Sequence, residues 1–129
     1  MKIASILENQ NIEKRIAVTP DIVKKYISLG FDITLSENYG SHLGFADKKY
    51  IDLGAKISKD DNEILNGSDI ILQIGMLSED KCLSIKESQT LVGTLNPYIN
   101  KEKIDNLVKK KINVFSLELL PRITRAQSM

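Results

Sequence analysis

Strand-length apolar segments alternate with segments of helical periodicity along almost the whole chain, and this alternation is what most restricts the fold. Residues 3–7, 31–35, 69–74, 90–95 and 112–117 read as strands, and residues 55–57 as a brief extended piece. Asp69-Ile70-Ile71-Leu72-Gln73-Ile74 is β-branched and apolar enough to be buried on both faces. Thr19-Pro20-Asp21 opens the first helix: a capping hydroxyl, a ring suited to the first helical position, and a carboxylate at the positive end. Ile22, Val23, Tyr26 and Ile27 give that helix one apolar face, and Gly30 stops it. Short helices are predicted over residues 48–53, ended by Gly54, and 60–65, ended by Gly67. Residues 101–111 carry Ile104, Leu107 and Val108 on one stripe behind Asn100 as cap. The pattern has no internal repeat. It predicts an α/β domain: a doubly wound, mainly parallel sheet with helices on both faces, Rossmann/flavodoxin-like in layout.

A chain of 129 residues is one domain, long enough to bury its own core. Its 18 basic and 17 acidic residues nearly cancel, which argues against nucleic acid as a partner. The cluster Lys109-Lys110-Lys111 suits the negative end of a helix. Cys82 is the one cysteine, so no internal disulfide can form and a reducing, cytoplasmic setting is expected. It sits in a polar stretch without a nearby histidine, a poor setting for a catalytic thiol. His42, the one histidine, lies between Gly40 and Gly44 in a predicted turn, and with Cys82 it makes no convincing metal site. The N-terminal residues turn polar too soon for a signal peptide, and no apolar run is long enough to cross a bilayer.

In an open α/β sheet, ligands bind outside the carboxyl ends of the strands. Three loops should meet there. The first, residues 8–18, holds Arg15 just ahead of a helix start, where it either joins an anion site or pairs with Glu8 or Glu13. The second follows Gln73, whose amide is either bonded to a neighbouring segment or turned toward the crevice. The third contains Asn96-Pro97, a turn out of a strand. A fourth segment, Pro121-Arg122-Ile123-Thr124-Arg125-Ala126-Gln127, concentrates two guanidinium groups and an amide after a strand and reads as a binding loop. No G-x-G-x-x-G and no G-x-x-x-x-G-K-[ST] occurs, so the sequence offers no recognisable pyrophosphate cradle.

Glu13-Lys14-Arg15-Ile16-Ala17-Val18-Thr19-Pro20, Leu29-Gly30-Phe31, Asp69-Ile70-Ile71-Leu72 and Pro121-Arg122-Ile123-Thr124-Arg125-Ala126-Gln127-Ser128 together resemble one family, in order, over essentially the whole chain. It is the N-terminal domain shared by alanine dehydrogenase and the alpha subunit of proton-translocating NAD(P) transhydrogenase. The last element is the more specific and points to the transhydrogenase branch. The resemblance implies an NAD(H)-binding component, usually a homodimer and peripheral to the inner membrane through membrane-embedded transhydrogenase subunits. Its partner component holds NADP(H). Carried over by position, Arg122, Ile123, Thr124, Arg125 and Gln127 would lie against NAD(H). Gln127 would orient the nicotinamide carboxamide or ribose, and Arg122 would brace the loop. The Rossmann domain with the glycine fingerprint would lie outside these residues, as would an acidic residue that the family places just past the loop. The chain is therefore expected to be one portion of a larger enzyme, inactive by itself.

Two positions depart from the alanine dehydrogenase pattern. That branch has a lysine where this chain has Gln73 and a histidine where it has Asn96. Neither amide can supply the charge or the acid that oxidation of an amino acid calls for. Transhydrogenase relatives often keep the lysine too. An alanine-dehydrogenase-like oxidoreductase is the alternative enzyme, and a non-catalytic interaction domain the alternative of another class.

Overall fold

The computed structural model describes residues 1–8, 15–95 and 99–116. Six strands and five α-helices alternate: β1 (Lys2–Ser5), α1 (Pro20–Ser28), β2 (Asp32–Ser36), α2 (Asp47–Asp52), β3 (Lys56–Ser58), α3 (Asp61–Asn66), β4 (Ile70–Leu72), α4 (Glu79–Cys82), β5 (Thr90–Gly93), α5 (Lys101–Lys109) and β6 (Asn113–Ser116). The strands form one sheet in the order β3-β2-β1-β4-β5-β6, and each neighbouring pair is parallel. Side chains alternate across the sheet, so each face builds its own core. Ile3, Ile33 and Leu35 pack with Val18, Val23, Tyr39 and Tyr50 on one side. Ala4, Ile71 and Leu91 pack with Ile64, Leu65, Ile85 and Leu107 on the other. Helices α1 and α2 lie over β2 and β3, while α3 packs on β1 and β2 and α5 on β6. The doubly wound reading of the sequence holds.

Helix ends carry much of the local specification. Thr19 accepts the Ile22 N–H at 3.4 Å ahead of Pro20. Three helices then stop in the same way, with two reversed hydrogen bonds around one left-handed residue. Gly30 (φ 93°) follows α1, Gly54 (φ 106°) follows α2, and Lys111 (φ 63°) follows α5. After α1 the bonds are Gly30 N to Ile27 O and Phe31 N to Tyr26 O, and the Tyr26 and Phe31 rings meet edge-on at 6.0 Å.

Three expectations change in detail. The strands are shorter than the apolar runs, because β1 and β4 part after Ser5 and Leu72 at a crevice, although backbone bonds between the chains that follow β4 and β5 continue to Thr94. Helix α4, a single turn behind the Ser78 cap, has no counterpart in the sequence reading, since one turn is too short to display a helical period. Asn100 precedes α5 without capping it through its side chain; its Nδ2 donates to Leu95 O at 2.7 Å and ties the helix start to the end of β5.

A crevice at the strand switch point

The strand order reverses between β1 and β4, and chain segments leaving these strands part to open a cleft of about 580 Å³. Ile6, Leu7, Met76, Leu77 and Ile99 give it an apolar lining, while Glu8, Gln73, Ser78, Lys81, Asn100 and Lys103 bring polar groups to it. The loops after β1 and β4 thus meet as the sequence indicated; the Asn96-Pro97 turn lies outside the described residues, and the start of α5 borders the cleft as well.

Gln73 forms part of the floor, and its environment resolves the choice that the sequence left open. The side chain is buried and bonded to β1: Oε1 accepts the Ile6 N–H at 2.8 Å, and Nε2 donates to Ile6 O at 3.2 Å. One carboxamide thereby stands in for a peptide group and continues the β1–β4 pairing past the last regular residues. A side chain with one polar function of fixed charge could not answer both a donor and an acceptor. On its other side, Gln73 N donates to Val92 O at 2.9 Å, so β5 remains paired at this level.

Beside it, Ser5 and Tyr39 form a second buried unit. The Tyr39 hydroxyl lies 2.7 Å from Ser5 Oγ and accepts N–H bonds from Ala17 and Val18, both at 3.1 Å. Ser5 Oγ donates to Leu72 O at 2.5 Å, which leaves the phenol proton for Ser5. Tyr50 donates to Val18 O at 3.0 Å, and its ring meets that of Tyr39 edge-on at 6.0 Å. These bonds fasten the segment that leads from Arg15 into α1 onto the sheet. Burial, only partly offset by the Val18 and Ala17 N–H groups that donate to the phenol oxygen, pushes the Tyr39 phenol up to about 12, and burial raises Tyr50 as well. Both phenols stay protonated at neutral pH and act as fixed dipoles.

Glu8 closes the gap between the departing strands. Its Oε2 accepts the Ile74 N–H and its Oε1 the Gly75 N–H, each at 2.7 Å. Farther out, Leu7 N donates to Ser36 Oγ at 2.8 Å and Ser36 donates to Asp61 Oδ1 at 2.7 Å. Asp61 Oδ2 meets Lys81 Nζ at 3.4 Å. This relay joins β1, β2, α3 and α4 along one wall. Lys103 Nζ donates to Leu77 O at 3.3 Å on the opposite side.

Several residues singled out from the sequence lie elsewhere. Arg15 is exposed at the start of the segment that Tyr39 anchors. Cys82 is buried, and burial raises its thiol above the ordinary value, in keeping with a non-catalytic cysteine. His42 belongs to a 3₁₀ turn, Ser41–Leu43, and no group of His, Cys, Asp and Glu among the described residues could hold a metal ion. Arg122, Ile123, Thr124, Arg125, Gln127 and Asn96 lie outside the described residues. The structure gives Glu8 a place in the crevice lining, and Ser5 and Tyr39 places in the buried support beside it, that the sequence does not assign. The signal for Ser5 is a hydroxyl within an otherwise apolar strand run; nothing local marks Tyr39.

Strand order, switch point and crevice together define a Rossmann-like α/β domain. The chain belongs to the family described as alanine dehydrogenase/PNT, N-terminal domain, which it matches over residues 6–129. It is 38% identical over 133 residues to the first part of NAD(P) transhydrogenase subunit alpha of Rickettsia prowazekii, covering 100% of this chain and 35% of that protein. The protein of the same name from Rhodospirillum rubrum is 34% identical over 134 residues, with 100% and 35% covered. A crystal structure of transhydrogenase from Sinorhizobium meliloti superposes with a TM-score of 0.88 at 31% identity, over 98% of this chain and 38% of that one. The chain thus spans about a third of the length of the relatives it matches. No helix among the described residues is long and apolar enough to cross a membrane.

Proposed function

We propose that this chain is the N-terminal domain of the NAD(H)-side component of a proton-translocating NAD(P) transhydrogenase, in which hydride passes between NAD(H) and NADP(H). The observation that carries the reading is the end-to-end similarity to transhydrogenase alpha subunits of a domain whose sequence holds no phosphate-cradle motif. In this reading the phosphates of NAD(H) are gripped by a Rossmann domain outside these 129 residues, and the crevice presented here receives the nicotinamide end. Arg122, Ile123, Thr124, Arg125 and Gln127 form the polar lid: Gln127 orients the nicotinamide carboxamide or ribose, and Arg122 braces the loop. Hydride transfer between two nicotinamides requires mainly that the rings be aligned at close range, which amides and guanidinium groups can do without proton chemistry. NADP(H) sits on a partner component, membrane-embedded subunits couple the transfer to proton movement, and the NAD(H) component works as a homodimer at the cytoplasmic face.

Gln73 favours this reading over alanine oxidation. Its carboxamide is used up in pairing with Ile6 and offers no cation to a keto acid. The test is single-turnover hydride transfer in the complete enzyme. Gln127→Asn should slow transfer much more than it weakens NADH binding, and an unchanged rate would remove the role given to Gln127. Robust conversion of alanine and NAD⁺ to pyruvate by the complete protein would overturn the assignment. Calorimetry on the 129-residue chain should show little or no NAD⁺ binding.

A further inference from the structure

Two successive peptide N–H groups aimed at one point make an anion-binding concavity. Ile74 and Gly75 form such a pair at the end of β4, and the anion they hold, at 2.7 Å each, is the Glu8 carboxylate. Gly75 suits the arrangement, because a Cβ there would stand 3.2 Å from Glu8 Oε1. Neighbouring donors are engaged as well: Ile6 N with Gln73 Oε1, Leu7 N with Ser36 Oγ, and Thr94 N with Ile74 O. Of the cations at the rim, Lys81 pairs with Asp61 and Lys103 donates to Leu77 O.

We propose that Glu8 is a specificity-determining residue whose carboxylate is a resident anion on the Ile74–Gly75 amides and keeps carboxylate- and phosphate-bearing groups off the crevice floor. An incoming anion would have to break two charge-assisted bonds and then compete with a carboxylate tethered nearby at high effective concentration. An uncharged amide or a flat ring displaces nothing. That the favoured group is a nicotinamide rests on the function proposed above; the exclusion of anions does not.

The experiment is amide NMR on the ¹⁵N-labelled 129-residue chain, titrated separately with sodium acetate and sodium sulfate at constant ionic strength. In wild type the Ile74 and Gly75 resonances should show no saturable shift with either salt. In Glu8→Ala both should shift saturably, with an apparent affinity at least about tenfold above wild type. Glu8→Gln retains one acceptor oxygen and should fall between the two. Saturable shifts in wild type at these amides overturn the proposal, and so does a folded Glu8→Ala chain that binds neither anion. If Glu8→Ala loses its dispersed spectrum, Glu8→Gln decides by the same criterion. A chain that excludes anions while the complete enzyme transfers no hydride keeps this proposal and removes the functional one.

Discussion

Gln73 and Ile6 are paired across the strand switch point as if both were backbone, although one of the two amides is a side chain. Replacing Gln73 by Leu keeps the apolar volume but leaves a buried N–H and a buried C=O without their partner. Each orphaned group costs about 1–3 kcal/mol, so equilibrium urea unfolding should show a loss of about 2–6 kcal/mol. Gln73→Glu can still accept from Ile6 N but sets a carboxylate against Ile6 O. It should be strongly destabilised at neutral pH and recover some of the loss on acidification, when the protonated carboxyl can donate.

Tyr39→Phe tests the anchoring of the Arg15 segment. The ring would still pack, while Ala17 N, Val18 N and Ser5 Oγ would lose the shared hydroxyl. A loss of about 2–3 kcal/mol is expected, together with faster hydrogen exchange at the Ala17 and Val18 amides than at Val23.

The same residue predicts an alkaline limit. The Tyr39 phenol is raised to about 12 in the folded chain, against an ordinary value of about 10 when unfolded. Its contribution is therefore complete below pH ~10 and is lost as pH rises toward ~12, because the unfolded chain releases the proton first. Across that window wild type should lose stability more steeply than Tyr39→Phe, by at most about 1.4 kcal/mol per pH unit. Parallel curves would show that Tyr39 does not titrate differently on folding.

Gly93 has no room to grow. A Cβ there would overlap the carbonyl oxygen of Gln73 and lie 3.0 Å from Leu95 Cδ2. Gly93→Ala should push β5 away from β4 at the crevice floor and cost about 3 kcal/mol. Chemical denaturation measures it, and a neutral result would mean that these strands can separate freely.

Lys111→Gly should act in the opposite direction. Lys111 holds φ 63° in the left-handed position after α5, the place that glycine takes after α1 and α2. Its ion pair with Glu87, 3.9 Å apart and exposed on both sides, offsets little of that strain. A gain of about 0.5–1 kcal/mol is expected, visible as a higher Tm.

Fold and site differ in how far the sequence discloses them. The start of α1 is legible because Thr19 and Pro20 are local devices, and its end because Gly30 is one. Gln73 is legible as an anomaly, a polar residue within an apolar strand, but not as a solution, since its partner Ile6 lies 67 residues away. Tyr39 is not legible at all: its role exists only where β1, β2 and the Ala17–Val18 peptide meet.

The sequence by itself determined the alternation of elements, the doubly wound class and the family, because periodicity, caps and contiguous motifs are written within short stretches of chain. Only the tertiary structure decided that the Gln73 amide faces β1 and that Glu8 takes the Ile74 and Gly75 N–H groups. Hydrogen-bond satisfaction at a strand end is a three-dimensional condition. It depends on which donors and acceptors the diverging strands leave open, and no local pattern encodes that.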